Sequence, residues 1–281
     1  MEIEILGSGG ASTTPRPFCS CMICEEARDR GVPYSRLGPA YFIHDANILI
    51  DTPEEIGVMI NRSRIQRVDA VIYSHWPPDH TRGLRIWENN ALRWEYPYRT
   101  VPTDVYLPQQ VAEDFKERIG LWESIEYMSQ RGYINPVIVP DNTAFEINGI
   151  TIKPFRVAED YVYAFLFAMD GKNVLIAPDE LFGWTPPEWL PPLDLAIVPA
   201  GLIDFHPLSG ERLIPEEHPV LQHEATFADT LKMIQQMTAK QVILGHLDET
   251  NQLSYDDCLA LEKQLNAGNI TFAFDQQIIS V

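Results

Sequence analysis

The sequence is poor in several things that would otherwise explain it. It has four cysteines in 281 residues, and three of them, Cys19, Cys21 and Cys24, crowd into one Cys-x-Cys-x-x-Cys run. Neighbours that close make an unstrained disulfide awkward, so the run favours metal ligation over a disulfide framework. No apolar run approaches the length needed to span a bilayer. The start, Met1-Glu2-Ile3-Glu4-Ile5-Leu6, alternates apolar and polar residues like a strand and unlike a signal peptide. A soluble, cytoplasmic protein with no membrane partner is the expectation. There is no Gly/Ser-rich linker, low-complexity tract or internal repeat, so residues 1–281 read as a single domain. Basic residues are also scarce: 21 Lys and Arg face 40 Asp and Glu, a net charge of −19. A field of that sign repels polyanions and makes long nucleic acid a poor substrate. A small anionic substrate remains compatible where local arginines and metals outweigh the field.

What is present suits a mixed α/β chain. Hydrophobic residues make up 45% of the sequence, enough to bury a core without covalent staples. Strands are expected at 2–6, 39–43, 47–50, 70–73, 144–147, 150–155, 162–168, 173–177, 195–198 and 241–244. Helices are expected to open at Pro53-Glu54-Glu55, near 108–118 and 120–131, over about 224–238, and over about 255–266. Hairpin elements come first and β and α then alternate, which suits sheets packed together and flanked by helices. Residues 84–140, with Trp87, Trp94, Tyr96, Tyr98 and Trp122, read as an aromatic-rich insertion that either roofs a pocket or forms a homodimer contact.

Seven histidines are present, and two of them fall in Ser74-His75-Trp76-Pro77-Pro78-Asp79-His80-Thr81-Arg82-Gly83, directly after the buried run Ala70-Val71-Ile72-Tyr73. A lone histidine is usually a satisfied polar residue, but His-x₃-Asp-His on a loop at a strand's carboxyl end sits where ligands bind in such folds. The segment resembles the His-x-His-x-Asp-His signature of the metallo-β-lactamase superfamily. Gly7-Ser8-Gly9-Gly10 resembles that family's glycine turn, and Leu49-Ile50-Asp51 its second strand with a buried acid. The run from Arg16 to Cys24 resembles one branch, which includes the phosphonate-pathway cyclic phosphodiesterases and the pyrroloquinoline quinone biosynthesis protein B. The resemblance implies a four-layer αββα sandwich.

It also implies a site. His75, Asp79 and His80 match the signature, Asp179 in Leu175-Ile176-Ala177-Pro178-Asp179 matches the acid that bridges two metals, and His246 in Ile243-Leu244-Gly245-His246 matches the late histidine. Two positions depart from the pattern. Pro77 stands where the signature's second histidine would be, and Ala158 or Glu159 stands where the third belongs. Both losses fall on the same metal, which is left with His75, Asp179 and Glu159 as a substitute. The other keeps Asp79, His80, Asp179 and His246, so a single active-site divalent ion (zinc, manganese or iron) is the favoured reading, ahead of a dinuclear site rescued by Glu159 or an empty one.

By the same resemblance, Cys19, Cys21 and Cys24 hold a structural zinc whose fourth ligand, a histidine in relatives, is Glu249 here. Cys258 is the rival, and otherwise a buried small residue on the 255–266 helix. His223, which is expected to open the helix over about 224–238, matches the histidine that assists the leaving group, so Asp79 and His223 are the catalytic candidates, with Arg16 and Arg82 as candidates for neutralising a phosphate. His44, His206 and His218 read as surface residues. The activity implied is that of a metal-dependent hydrolase, a phosphodiesterase acting on a small anionic substrate. The alternatives are an iron-dependent oxidative enzyme and a non-catalytic binding protein on the same fold.

Overall fold

Runs such as Tyr41–Ile43 and Leu195–Val198 are apolar on both faces because each lies between two layers. In the computed structural model, which describes residues 1–93, 99–118, 120–157, 161–265 and 268–281, these runs form the centres of two sheets. The first half of the chain supplies β1 (Glu2–Gly7), α1 (Met22–Arg30), β2 (Ala40–Ile43), β3 (Ile48–Ile50), α2 (Ile56–Arg62), β4 (Ala70–Ile72), α3 (Pro78–Thr81), α4 (Ile86–Ala91), β5 (Leu92–Arg93), β6 (Arg99–Thr100), β7 (Thr103–Pro108), α5 (Gln109–Glu117), α6 (Trp122–Gln130) and β8 (Ile134–Val139). The second supplies β9 (Phe145–Ile147), β10 (Ile150–Arg156), β11 (Tyr163–Met169), β12 (Lys172–Ile176), β13 (Leu193–Pro199), α7 (Phe227–Gln236), β14 (Ala239–Gly245), α8 (Tyr255–Leu265), β15 (Ile270–Phe272) and β16 (Gln277–Ser280).

The first sheet runs β16-β1-β2-β3-β4-β7-β8 and the second β15-β14-β13-β12-β11-β10-β9. Both change character midway. In the first, β1, β2 and β3 are antiparallel and β3, β4, β7 and β8 parallel. In the second, β10, β11 and β12 are antiparallel and β12 through β15 parallel. The inner faces share one core in which Ile5, Ile50, Phe165, Ile176 and Ile243 are fully buried. Each such side chain contributes roughly 1.5–3 kcal/mol by leaving water. Helices α2, α4, α5 and α6 cover the first sheet, while α7 and α8 cover the second over a separate apolar cluster. This is the αββα sandwich that the resemblance implies.

Several elements differ from the sequence reading. Within the stretch 84–140, β7 and β8, which the sequence does not announce, extend the first sheet, and Trp87 is fully buried, its indole N–H donating to Tyr73 Oη at 3.1 Å. Trp122 lies half-buried beneath the Lys116 ammonium, 4.4 Å from its ring centre, while Trp94, Tyr96 and Tyr98 lie outside the described residues. Helix α2 starts at Ile56, after Pro53-Glu54-Glu55 and not at it. Helix α7 starts only at Phe227, because Thr226 and Asp229 form a reciprocal capping box. His223 therefore does not open that helix; it closes the short 3₁₀ turn Pro219–Gln222. Among the described residues no helix is long and apolar enough to cross a membrane.

Candidate metal-binding active site

The chemistry-bearing residues stand just beyond the carboxyl ends of strands: Asp51 after β3, His75 after β4, Asp179 after β12 and His246 after β14. Asp51 and His246 take left-handed backbone conformations, with φ of 60° and 51°, which non-glycine residues seldom adopt. Asp51 is fully buried, accepting from Ser74 N at 2.7 Å, Ser74 Oγ at 2.5 Å and His80 Nδ1 at 2.8 Å. The bond from Nδ1–H fixes the His80 ring and its tautomer, leaving Nε2 as a lone-pair donor. This is the carboxylate–histidine arrangement that orients metal ligands.

Four donor groups converge beyond it. His80 Nε2 lies 3.3 Å from Asp79 Oδ2 and 3.6 Å from Asp179 Oδ2, and His246 Nε2 lies 3.2 Å from Asp179 Oδ1 and 3.9 Å from Asp79 Oδ2. Ligands about 2.0–2.1 Å from a tetrahedral zinc stand roughly 3.3–3.4 Å apart. Asp79, His80 and His246 approach that spacing, their ligand atoms all lying within 4.8 Å of one another, and His75, His80 and Asp179 form a second such group. Both Nε2 atoms are buried without a hydrogen-bond partner. Orphaned buried nitrogens are costly unless something occupies the space between them. Burial alone would lower the His80 pKa, yet Asp79 and Asp51 outweigh it and hold it well above the usual histidine value. His246 is raised likewise, burial being outweighed by Asp179 and Asp248. Burial would raise Asp79, but His80 and His246 bring it down to about 2. The carboxylates therefore favour positive charge at the two imidazoles.

His75 is used differently. Its Nε2 bonds Asp179 Oδ2 at 2.9 Å and its Nδ1 meets Ser74 Oγ at 2.9 Å, so both ring nitrogens are engaged. Pro77, where the family signature places a histidine, lines the cavity and brings no donor. Glu159 lies outside the described residues.

The cavity encloses ≈510 Å³, and Asp79, Asp179, His246, His223 and Tyr161 line it. Arg16 and Arg82 are not among its lining residues. Arg16 is paired through Nε with Glu249 Oε1, and Arg82 is exposed at the end of α3, beside Leu84 and Tyr127. Sequence reasoning also missed residues here: Glu180, Glu224 and Asp248 line the same space. Glu180 and Asp248 follow Asp179 and His246 within two positions, a signal that adjacency to a ligand could have raised. Of the three histidines read as surface residues, His44 is mostly buried and bonded to Glu4 Oε2 at 2.8 Å. His218 is exposed, and His206 accepts loop amides from Leu208 and Ser209.

A second cluster lies beyond Asp248. Cys19, Cys21, Cys24 and Glu249 offer ligand atoms that all lie within 4.8 Å of one another. Cys21 Sγ is 3.7 Å from Glu249 Oε2, and backbone amides of Arg16, Cys21 and Cys24 point at Cys24, Cys19 and Cys21 sulfurs. A bond from the Cys21 amide lowers the Cys19 pKa, while burial pushes the Cys24 thiol up to about 12. Cys258 is not part of this group; it is buried on α8, 3.8 Å from Arg36 Nη2.

The glycine turn joins the two sites. Leu247 N donates to Ser8 O at 3.0 Å and Ser12 N to Asp248 Oδ1 at 2.9 Å. A Cβ on Gly10 would stand 2.6 Å from Asp248 Oδ2 and 2.7 Å from His246 Nδ1, so the close approach requires glycine.

By sequence the chain matches no curated protein. By structure it is similar to zinc-bound PqqB from Methylobacterium extorquens, at TM-score 0.79 and 14% identity over 100% of both chains. It is also similar to a diphosphatase of the PhnP family, at TM-score 0.73 and 22% identity over 100% of this chain and 97% of the other. Human short-form tRNase Z follows at TM-score 0.67 and 16% identity, over 100% and 99%. The family model described as a beta-lactamase superfamily domain matches residues 46–247, which span Asp51, the His75–His80 loop, Asp179 and His246. The chain belongs to the metallo-β-lactamase superfamily.

Proposed function

We propose that the chain is a metal-dependent hydrolase of the phosphodiesterase type, acting on a small molecule with one ion in the cavity and a structural zinc at Cys19, Cys21, Cys24 and Glu249. The observation that carries this reading is the approach of Asp79 and Asp179 to the buried Nε2 atoms of His80 and His246, neither of which has a hydrogen-bond partner. An ion held there supplies Lewis acidity and a water acidified toward neutral pH. The chain's own residues do the rest. Asp51 keeps His80 Nε2 aimed inward, and His75 holds Asp179 Oδ2, so the half of the site that lacks a histidine at Pro77 is tied off by a hydrogen bond.

In the reaction the water oxygen bonds to phosphorus as Asp79 takes up its proton. The bond from phosphorus to the leaving oxygen breaks, its electron pair stays on that oxygen, and His223, exposed and lining the cavity, protonates it. Arg16 and Arg82 are given no part in this reading. The test is elemental analysis alongside hydrolysis of a chromogenic phosphodiester with Mn²⁺ or Zn²⁺. About two ions per chain are expected, one lost on Asp79→Ala together with hydrolysis and the other on Cys21→Ala. About three ions, or hydrolysis indifferent to Asp79→Ala, sinks the single-ion hydrolase. A second reading rests on the grouping of Asp79, His80 and His246, a two-histidine, one-carboxylate set that also suits iron and dioxygen. Oxygen consumption with Fe²⁺ and no phosphodiester hydrolysis would select it.

A further inference from the structure

The cavity has more carboxylates than one ion can use. Asp79 and Asp179 face the imidazoles, and a single divalent ion balances the two. Glu180, Glu224 and Asp248 line the same ≈510 Å³, and among the described residues no Lys or Arg does. Glu180 is held in place by the Ala225 amide at 3.0 Å and by the Phe182 amide through Oε1, which leaves Oε2. Asp248 spends Oδ1 on the Ser12 amide, which leaves Oδ2. The half-buried Glu224 carboxylate has no hydrogen bond or ion pair among the described residues, and burial followed by the charge of Asp179 raises its pKa. His80 Nε2 and His246 Nε2, both buried without a hydrogen-bond partner, independently mark this cavity as built around a ligand. Unpaired carboxylates in a half-enclosed space cost free energy that a bound cation recovers and a bare anion would increase.

We propose that the substrate carries an ammonium group as well as the scissile ester, and that Glu224, Asp248 and Glu180 receive that group while the ion position receives the phosphoryl oxygen. The proposal rests on the hydrolase reading above and names the substrate class: a phosphodiester bearing an alkylammonium, zwitterionic and not purely anionic. The apolar side chains Leu181, Leu202 and Val220 line the same cavity and suit the methylene or methyl groups around such a nitrogen.

The test compares two chromogenic substrates on the metal-loaded protein, bis(para-nitrophenyl) phosphate and para-nitrophenyl phosphorylcholine. The choline diester is expected to show kcat/KM about tenfold higher. Glu224→Gln and, separately, Asp248→Asn are expected to bring the ratio toward one with metal content unchanged. Raising ionic strength should erode the preference in the wild-type chain. Equal kcat/KM for both substrates overturns the proposal and leaves the hydrolase reading standing. Loss of a metal ion in Glu224→Gln also overturns it, since the acids would then be holding a second cation. Calorimetry with free choline reads the cation site without turnover. Binding that weakens about tenfold in Glu224→Gln supports the proposal even if the hydrolase reading fails, and no binding sinks it.

Discussion

The cavity and the cysteine cluster are fed by one short segment: His246 reaches into the first, and Glu249, three residues on, reaches into the second. Yet the two are finished in opposite ways. In the cavity, His80 is braced from behind by Asp51, and the front opens onto ≈510 Å³. In the cluster all four donors come from the chain and Arg16 caps the Glu249 carboxylate, so no position faces a substrate. An open position suits catalysis and a closed set suits structure. The residues adjoining Glu249 also brace the glycine turn, so the two sites are expected to be coupled in stability but separable in chemistry.

The largest expected effect separates them by chemistry. Asp79→Ala should lower kcat/KM by about a thousandfold or more while the cysteine-bound ion remains in elemental analysis. Loss of both ions would mean that the sites are one unit. Cys21→Ala should do the reverse, costing ~2–4 kcal/mol in thermal or denaturant unfolding as the closed ion is lost. Part of that cost is local, because Cys21 also caps α1 by accepting from Cys24 N. Its kcat/KM should fall by less than about tenfold, and a larger fall would join the sites again.

Asp51→Asn sharpens the contrast inside the cavity. It should weaken cavity metal affinity about 10–100-fold with the cysteine ion unaffected, measured by competition with a chelator. pH gives a further separation. The raised His80 and His246 values mean that protons compete for Nε2 from above the ordinary histidine range, so cavity occupancy should fall as the pH is lowered into and through that range. Flat occupancy over that interval would remove these histidines from the ligand set. The smallest effect is expected at the closed site: Arg16→Gln removes a pair whose arginine is half exposed and screened by solvent, and should shift the melting temperature only slightly.

Much of the fold was readable from the chain because the inner strands are buried on both faces and appear as continuous apolar runs, as in Leu195–Val198 and Val242–Leu244. Among the strands that escaped notice were β7 and β8, as well as β15 and β16. β8 is an edge strand with Pro136 inside it and four exposed residues, so neither period nor composition marks it. Helix α1 was hidden because its cap, Cys21, was read only as a ligand. His223 was placed on a helix because Glu224 and Ala225 continue that helix's composition upstream, whereas the Thr226–Asp229 box sets the start.

Within the candidate site, the local groupings belong to the sequence alone. His75, Asp79 and His80 share one loop and the three cysteines share one turn, so spacing by itself put these donors side by side. Tertiary structure decided which distant groups complete them: Asp179 and His246 in the cavity, and Glu249 with Cys258 left beside Arg36. It also decided that Asp51 orients His80, that His75 is spent on Asp179, and that Glu180, Glu224 and Asp248 make the cavity acidic while Arg16 and Arg82 stand outside it. The physical reason is topological. These residues follow strands of two different sheets, and strand ends far apart in the chain meet only once both sheets have packed on their shared core.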